Sequence, residues 1–501
     1  MRIQEPIRVL SWDEMAQIHH AAVRILSETG MRIEHPAAHE LLTGAGCTCD
    51  PGNWLVKFPS ELVEESVARM KHRYAHDAAA PAPMGHRYSH IRFRAERHRI
   101  HEDFTVNTGG FCCFIHDLTG TRRRATRDDV LRAINLVNHL EHIDYTGLPV
   151  SDQAEPYPLR PVSMAAELAK RTTKLGGVET FKKEDIPYLI EIGCILKGSL
   201  AALQAEPVLV GYAEARSPLC LDHNMTDIFI EYIRRGFPQT LDTMPNAGAT
   251  APMTPAGALA VGIAETLAAV VLAHAIDEDA VVGVDIIPSS CDMQSGLYRY
   301  ASAERWPMLV ARVQLISEFY GCPSGVHGLK TDGCFYDEQV GFEKAMSMVY
   351  PVLAGAVGIG TAGHLENALT FSPVQLVLDN EFAGAMHWSL RPIAVNEQTL
   401  AVDLVNRVGP GGHFLAEPET AESFRDVLHL SQLLVHAPWE ANHSATPAGV
   451  TAKAEARAKE IWEQDPELIV DTETAKAIDA VVASARRHLL EGESAPALVS
   501  A

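Results

Sequence analysis

The chain has 501 residues, 47% of them hydrophobic, and a formal charge of -22. That length allows a large core, built as two or three average domains or as one large barrel with additions. The charge argues against general affinity for nucleic acid or anionic membrane, which needs a basic patch, and leaves small molecules or a protein partner.

The opening "MRIQEPIRVLSWDEM" has no basic, then apolar, leader pattern, which predicts a cytoplasmic protein. The nine cysteines, an odd number, are then expected as reduced thiols. Residues 1–100 read as a mostly helical cap, from "SWDEMAQIHHAAVRILSETG" through "PSELVEESVARM". A low-complexity "HDAAAPAP" (76–83) and a basic stretch (86–101) follow, the latter expected as a solvated face or subunit contact.

From residue 101 to 400 short β-rich runs alternate with longer amphipathic ones. Strands are expected at 104–109, 143–150, 175–181, 207–212, 239–244, 280–287, 322–328 and 356–361. Each is followed by a helical candidate, which predicts parallel strands with crossover helices. Eight such units predict an α/β protein of the TIM (β/α)8 barrel class, not an open doubly wound sheet. Thr126 before "RDD", Thr254 before Pro255 and Ser372 before Pro373 mark helix starts. The run "AGALAVGIAETLAAVVLAHAI" approaches membrane-span length but holds Glu265 and His274, so it is expected as a packed helix. Residues 401–501 read as a C-terminal extension, with "GPGGHFL" (409–415) and an Ala/Glu-rich helical tail.

The stretch "GIGTAGHLENALTFSP" fits G-x-G-x-x-G through Gly358, Gly360 and Gly363. In a dinucleotide fold the helix starts inside that motif, whereas here the helix signal Ser372-Pro373 comes well after Gly363. In a barrel, 361–372 is instead the loop after the eighth strand, on the face where barrel active sites lie. His364, Glu366 and Asn367 then become pocket candidates, with Asn107-Thr108, Thr180, Tyr212, the Thr243–Asn246 segment, Ser289-Ser290 and His327 at the other strand ends. Cys112-Cys113 with His116 raises the question of zinc, but no C-x-x-C or H-x-x-x-H stands here and no bound metal is expected.

The stretches "TMPNAGATAPMTPAGALAVGIAETLA", "KTDGCFYDEQVGFEKA", "GHLENALTFSPVQLVLDNE" and "VGPGGHFLAEPET" resemble, in order and spacing, the trimethylamine:corrinoid methyltransferase superfamily. The resemblance implies a TIM barrel that moves a methyl group from an amine to the cobalt(I) of a separate corrinoid protein. Members acting on trimethylamine carry pyrrolysine. This sequence has only the standard twenty residues, so it resembles the non-pyrrolysine branch, whose known substrates are quaternary amines such as glycine betaine. A quaternary ammonium already has a neutral amine as leaving group, so positioning and water exclusion would suffice.

Within the resemblance, His364 and Glu366 are the expected catalytic pair, Glu366 balancing the ammonium charge. Tyr212, Phe335, Tyr336 and Phe371 are expected as aromatic walls, with Phe111 and Tyr298 as further candidates. Asn107, His327 or His364 would hold a substrate carboxylate or hydroxyl. The expected partners are a cognate corrinoid protein carrying cobalamin and a second copy of the chain in a homo-oligomer. Two other readings are a barrel methyltransferase or lyase with another donor, sulfonium or zinc-activated, and a non-catalytic quaternary-amine binding protein.

Overall fold

The computed structural model describes residues 5–76, 100–110, 112–438 and 449–494. Phe111, nearly all of the basic stretch and most of 76–83 lie outside the described residues.

All eight expected strand regions hold extended, largely parallel segments in one continuous order. Gly325–Val326 pairs with Gly358–Ile359, which pairs in turn with Thr105–Val106. Asn107 bridges Tyr145, and Thr146 bridges Leu175. The Leu209 and Val178 N–H groups bond the Gly176 and Val210 carbonyls, bringing in the fourth segment. Ala213–Glu214 then pairs with Gln239–Asp242, and that strand with Val282–Val284. Among the described residues no ladder joins Val282–Val284 to Gly325–Val326, so the pairing forms a continuous arc of eight segments.

A helix follows each segment: Arg127–Asn138, Arg160–Arg171, Ile186–Lys197, His223–Arg234, Pro255–Ile276, Arg305–Val313, Glu338–Leu353 and Pro373–Ser389. Three start as the sequence signals indicate. Asp129 closes a capping box on Thr126, Pro255 follows Thr254, and the Ser372 hydroxyl accepts the Gln375 N–H at 3.2 Å. Beyond the core strands the chain pairs again in a second tier that the sequence reading did not foresee. There Asn246–Ala247 lies beside Ser289–Cys291, and Phe114–His116 beside Thr370–Phe371.

The N-terminal region is less purely helical than expected. Its helices Trp12–Arg24, Pro36–Gly44 and Ser60–His76 accompany a sheet of Thr48–Asp50, Leu55–Lys57 and Met31–Ile33. The fourth strand of that sheet, Cys220–Leu221, comes from the loop after the fourth core segment. All three helices pack on Pro255–Ile276. This explains why that helix is apolar all round: one side meets the core strands and the other the N-terminal helices, and 89% of its most apolar window is buried inside the protein.

At the C-terminal end, Val450–Trp462 packs on Pro373–Ser389 and Arg127–Asn138, and Thr472–Glu491 on Arg160–Arg171 and Ile186–Lys197. Between the core and these helices, no residue from Arg391 to Gln432 is buried.

Candidate active site

One cavity collects residues from all eight segments at their C-terminal ends. Asn107, Tyr145, Glu179, Tyr212, Asp242, Asp285, His327 and Gly360 stand around it in chain order. Its volume of about 70 Å³ is small. On a scale where one water takes roughly 10–15 Å³, it leaves room for a compact organic molecule. Glycines make the space: a Cβ on Gly360 would stand 3.3 Å from Asn107 Oδ1 and 3.6 Å from the His327 ring, and one on Gly110 3.1 Å from Glu179 Oε1. Gly360 and Gly363 of the G-x-G-x-x-G stretch therefore serve close packing. Gly363 takes a φ of +81°, with Phe371 Cε2 where a Cβ would have only 2.7 Å.

Three acidic side chains stand in a wall that is otherwise largely glycine, aromatic and aliphatic. Glu179, Asp242 and Asp285 line the cavity, and Glu214 is close enough to perturb two of them. Burial pushes Glu179 up to about 8, with Glu214 adding to the rise and the Tyr212 hydroxyl, 3.4 Å from Oε1, opposing it. Asp242 is pushed up further, by burial first and then by Asp285 and Glu214. Its Oδ1 has no hydrogen-bond partner among the described residues. Asp285 is also raised by burial, although the buried Arg312 guanidinium donates to it. Such a cluster resists full ionisation until a cation enters.

Two tyrosines complete the walls. Tyr145 accepts the Asn107 side-chain N–H at 2.7 Å, and Asn107 Oδ1 accepts the Gly109 N–H at 2.7 Å, so Asn107 orients the ring. Tyr212 stands partly buried beside Glu179. On the seventh-segment side, Lys330 Nζ lies 4.0 Å from the Tyr300 ring centroid, and burial lowers its amine to about 7.

Asn107, Tyr212 and His327 thus line this cavity, and among the described residues the other expected ones do not. Phe371 is a core side chain paired across from His364. Phe335 is 63% exposed, and the Tyr336 hydroxyl reaches Glu455 of the C-terminal helix at 3.2 Å. Glu366 binds Arg122 through both oxygens, at 2.6 and 3.1 Å, and accepts the Thr370 hydroxyl. His364 is buried, with neither ring nitrogen partnered among the described residues, and its pKa is driven well down by burial and by Lys330 and Lys344. The physical reason is the chain path. After Gly360 the backbone folds into a hairpin, His364–Leu365 against Thr370–Phe371, with successive left-handed residues at Glu366, Asn367 and Ala368. The hairpin carries these side chains into the second tier.

Asn246 and Ser289, paired in that tier, keep buried side-chain polar atoms without a partner among the described residues, whereas Thr180 spends its hydroxyl on Tyr232 at 2.9 Å. Glu179, Glu214, Asp242 and Asp285 escaped the sequence reading. Their signal was an acidic residue at the end of four consecutive β-rich runs, "GGVETF", "GYAEA", "QTLDTM" and "VVGVDII".

Among the described residues one group has metal-ligand spacing, His35, His223 and Asp227. Asp227 already bonds His35 Nε2 and Lys183 Nζ at 3.0 Å each, and His35 Nδ1 accepts the Ala38 N–H. The group ties the N-terminal region to the helix after the fourth segment, and none of its residues lines the cavity.

Comparison with known proteins agrees with the sequence reading. The trimethylamine methyltransferase (MTTB) family matches residues 1–489. Trimethylamine methyltransferase MttB2 of Methanosarcina mazei is 27% identical over 497 residues, 97% of each chain. Glycine betaine methyltransferase of Desulfitobacterium hafniense is 28% identical over 422 residues, 83% of this chain and 84% of that one. The solved monomethylamine methyltransferase MtmB of Methanosarcina barkeri aligns over 91% of this chain and 93% of its own, at 12% identity and a TM-score of 0.36, too loosely to bear on the fold. With a cavity shaped for a small ligand and a family match over nearly its whole length, this chain belongs to the trimethylamine methyltransferase family and is a methyltransferase.

Proposed function

We propose that the chain takes a methyl group from a quaternary amine of the betaine type and passes it to the corrinoid of a partner protein that docks over the C-terminal ends of the core strands. The observation that carries this reading is the carboxylate-lined cavity with Tyr145 and Tyr212 in its wall. Buried carboxylates and aromatic faces favour an organic cation over a neutral amine or an anion. The relative named for glycine betaine supports the choice of donor. We also propose that the arc of eight segments closes as a (β/α)8 barrel. All eight segments contribute to one cavity, which supports closure.

A corrinoid presented by the partner supplies the cobalt nucleophile. This chain's residues hold the ammonium, with Glu179 and Asp242 balancing its charge and Tyr145 and Tyr212 against its methyl groups. One N-methyl is left toward the mouth, and water is excluded by the small volume. The leaving amine departs neutral, so no proton need be supplied. His364 and Glu366 are proposed to act from the second tier. Glu366, fixed to Arg122, shapes the hairpin beside the eighth segment, and His364 lies behind it as a neutral group.

The test is a panel of quaternary amines incubated with the purified protein and free cob(I)alamin, following methylcobalamin formation by absorbance. Methylation from a betaine is expected. No transfer across the panel by a demonstrably folded protein would reject the reading. Methylation only from a sulfonium donor would move the substrate class.

A further inference from the structure

We propose that Lys330, with the buried ring of His364 near it, forms an anion subsite in the second tier that holds the carboxylate of the quaternary amine and so selects zwitterions over simple ammonium cations. The identity of the ligand rests on the methyl-transfer reading, whereas the binding of an anion can be tested without it. Two cations buried near these residues are already committed. Lys344 Nζ donates to the Leu329 carbonyl and to Asp379, both at 2.7 Å, and Arg305 donates to the Pro288, Tyr300 and His327 carbonyls. Lys330 is only 7% exposed, yet its Nζ has neither a hydrogen bond nor an ion pair among the described residues and rests on the Tyr300 ring face. His364, which feels the charge of Lys330 and Lys344, is 2% exposed with neither ring nitrogen partnered among the described residues. Buried N–H groups in that state cost free energy until an acceptor arrives, and a carboxylate accepts from an ammonium and an imidazole alike.

The subsite lies just beyond the cavity lining. Lys330 follows His327 in the loop after the seventh segment and His364 follows Gly360 after the eighth, and both His327 and Gly360 line the cavity. The Tyr300 hydroxyl reaches Met244 Sδ at 3.7 Å, in the loop that continues from the Gln239–Asp242 strand. Glu214 joins the two levels, close enough to act on Glu179 and Asp242 in the lining and on Lys330 and Tyr300 beyond it. Acids at one level and an uncommitted amine at the next match a short zwitterion end for end. On the side of the first three segments the lining includes Gly109, Gly110, Gly147 and Gly177, whose missing side chains leave the room there to the N-methyl groups.

The acids of the surrounding loops do not oppose a carboxylate at Lys330. Glu366, on the same hairpin as His364, is held by Arg122, and Asp332 accepts the Tyr300 N–H at 2.9 Å. A betaine is then distinguished from a tetraalkylammonium by its tail alone. One charge-assisted hydrogen bond in a buried site corresponds to roughly ten- to a hundredfold in affinity.

Calorimetric titration of the purified full chain tests this with glycine betaine, with ethyltrimethylammonium, which keeps only the cation, and with tert-butylacetate, the isostere that keeps only the carboxylate. Wild type is expected to bind betaine at least about tenfold more tightly than ethyltrimethylammonium. Lys330→Met and Lys330→Gln are each expected to weaken betaine and tert-butylacetate by about tenfold or more. Both should leave ethyltrimethylammonium within about threefold of wild type, which also reports an intact fold. Equal binding of betaine and ethyltrimethylammonium by wild type overturns the inference and leaves the methyl-transfer reading in place. Variants that keep the preference for betaine overturn it too, as do variants that lose all the ligands together, which would make Lys330 structural. Loss of tert-butylacetate binding in both variants of a protein that transfers no methyl group supports the anion subsite and rejects the reading of its ligand.

Discussion

Asp242 Oδ1 is buried beside Glu179, Glu214 and Asp285 without a hydrogen-bond donor among the described residues. Packed together away from water, these acids resist ionisation unless a positive charge enters, and a quaternary ammonium, which has no N–H to donate, would act on them by its charge alone. The proposed ligand is a cation, so binding must be linked to proton release. Glu179 sits at about 8 in the empty site, and a bound cation favours its ionised form. Affinity for a betaine is therefore expected to fall by up to about tenfold for each pH unit below 8, with protons released on binding. Calorimetry in two buffers of different ionisation enthalpy checks this, and a pH-independent Kd would contradict it. Glu179→Gln should raise Kd at least tenfold and flatten the profile. Glu366→Ala should leave Kd within about threefold, since its carboxylate is already spent on Arg122. The reverse pattern would return the binding role to the loop pair. Asn107, Tyr212 and His327 line the cavity because they end strands, a position the sequence makes visible. That His364 and Glu366 stand on a hairpin and not in the cavity lining was not legible, because the path after Gly360 cannot be read from residue types.

The Pro255–Ile276 helix shows how one element joins distant parts of the chain. Its Glu265 carboxylate accepts the Leu219 N–H at 2.7 Å and the Ser217 hydroxyl at 2.8 Å, pinning the loop whose Cys220–Leu221 strand completes the N-terminal sheet. Burial raises Glu265 to about 7, above its ordinary 4.5, so the folded chain retains a proton that the unfolded chain releases between those values. This group's contribution to stability is largest in acid and is lost as pH rises from 4.5 through 7. Glu265→Gln keeps an acceptor for Leu219 without the titration. Relative to wild type it is expected to gain up to about 3 kcal/mol between pH 5 and pH 8, at 1.36 kcal/mol per pKa unit. Denaturant unfolding at the two pH values measures the difference, and no change would remove Glu265 from the pH response. The eight strand–helix units were legible because strand-rich runs, Thr–Pro and Ser–Pro starts and an Asp-capped Thr126 carry local signals. The second tier was not, because its two- and three-residue strands are held by partners far along the chain.

Across the whole molecule, the N-terminal region is part of the fold's foundation. Its three helices cover the outer side of a helix with sixteen consecutive buried residues, Ala258–Ala273, and its own core includes Leu26, Val56, Phe58 and Val63 at 0% exposure. A chain beginning at residue 100 would expose that helix, and is expected to be recovered as aggregate while the full chain is recovered soluble. A monodisperse, cooperatively melting fragment would show that the region is dispensable. Sequence alone determined the alternation of strands and helices, the small-ligand class implied by charge, and the family, because periodicity, helix caps and motif order are properties of the linear chain. Tertiary structure decided which side chains share a cavity. Four acids separated by more than a hundred residues, Glu179 to Asp285, meet only when parallel strands bring their ends together. It also decided that one stretch near the end of the chain has no place in the core. Burial is a relation between segments, and no residue type states it.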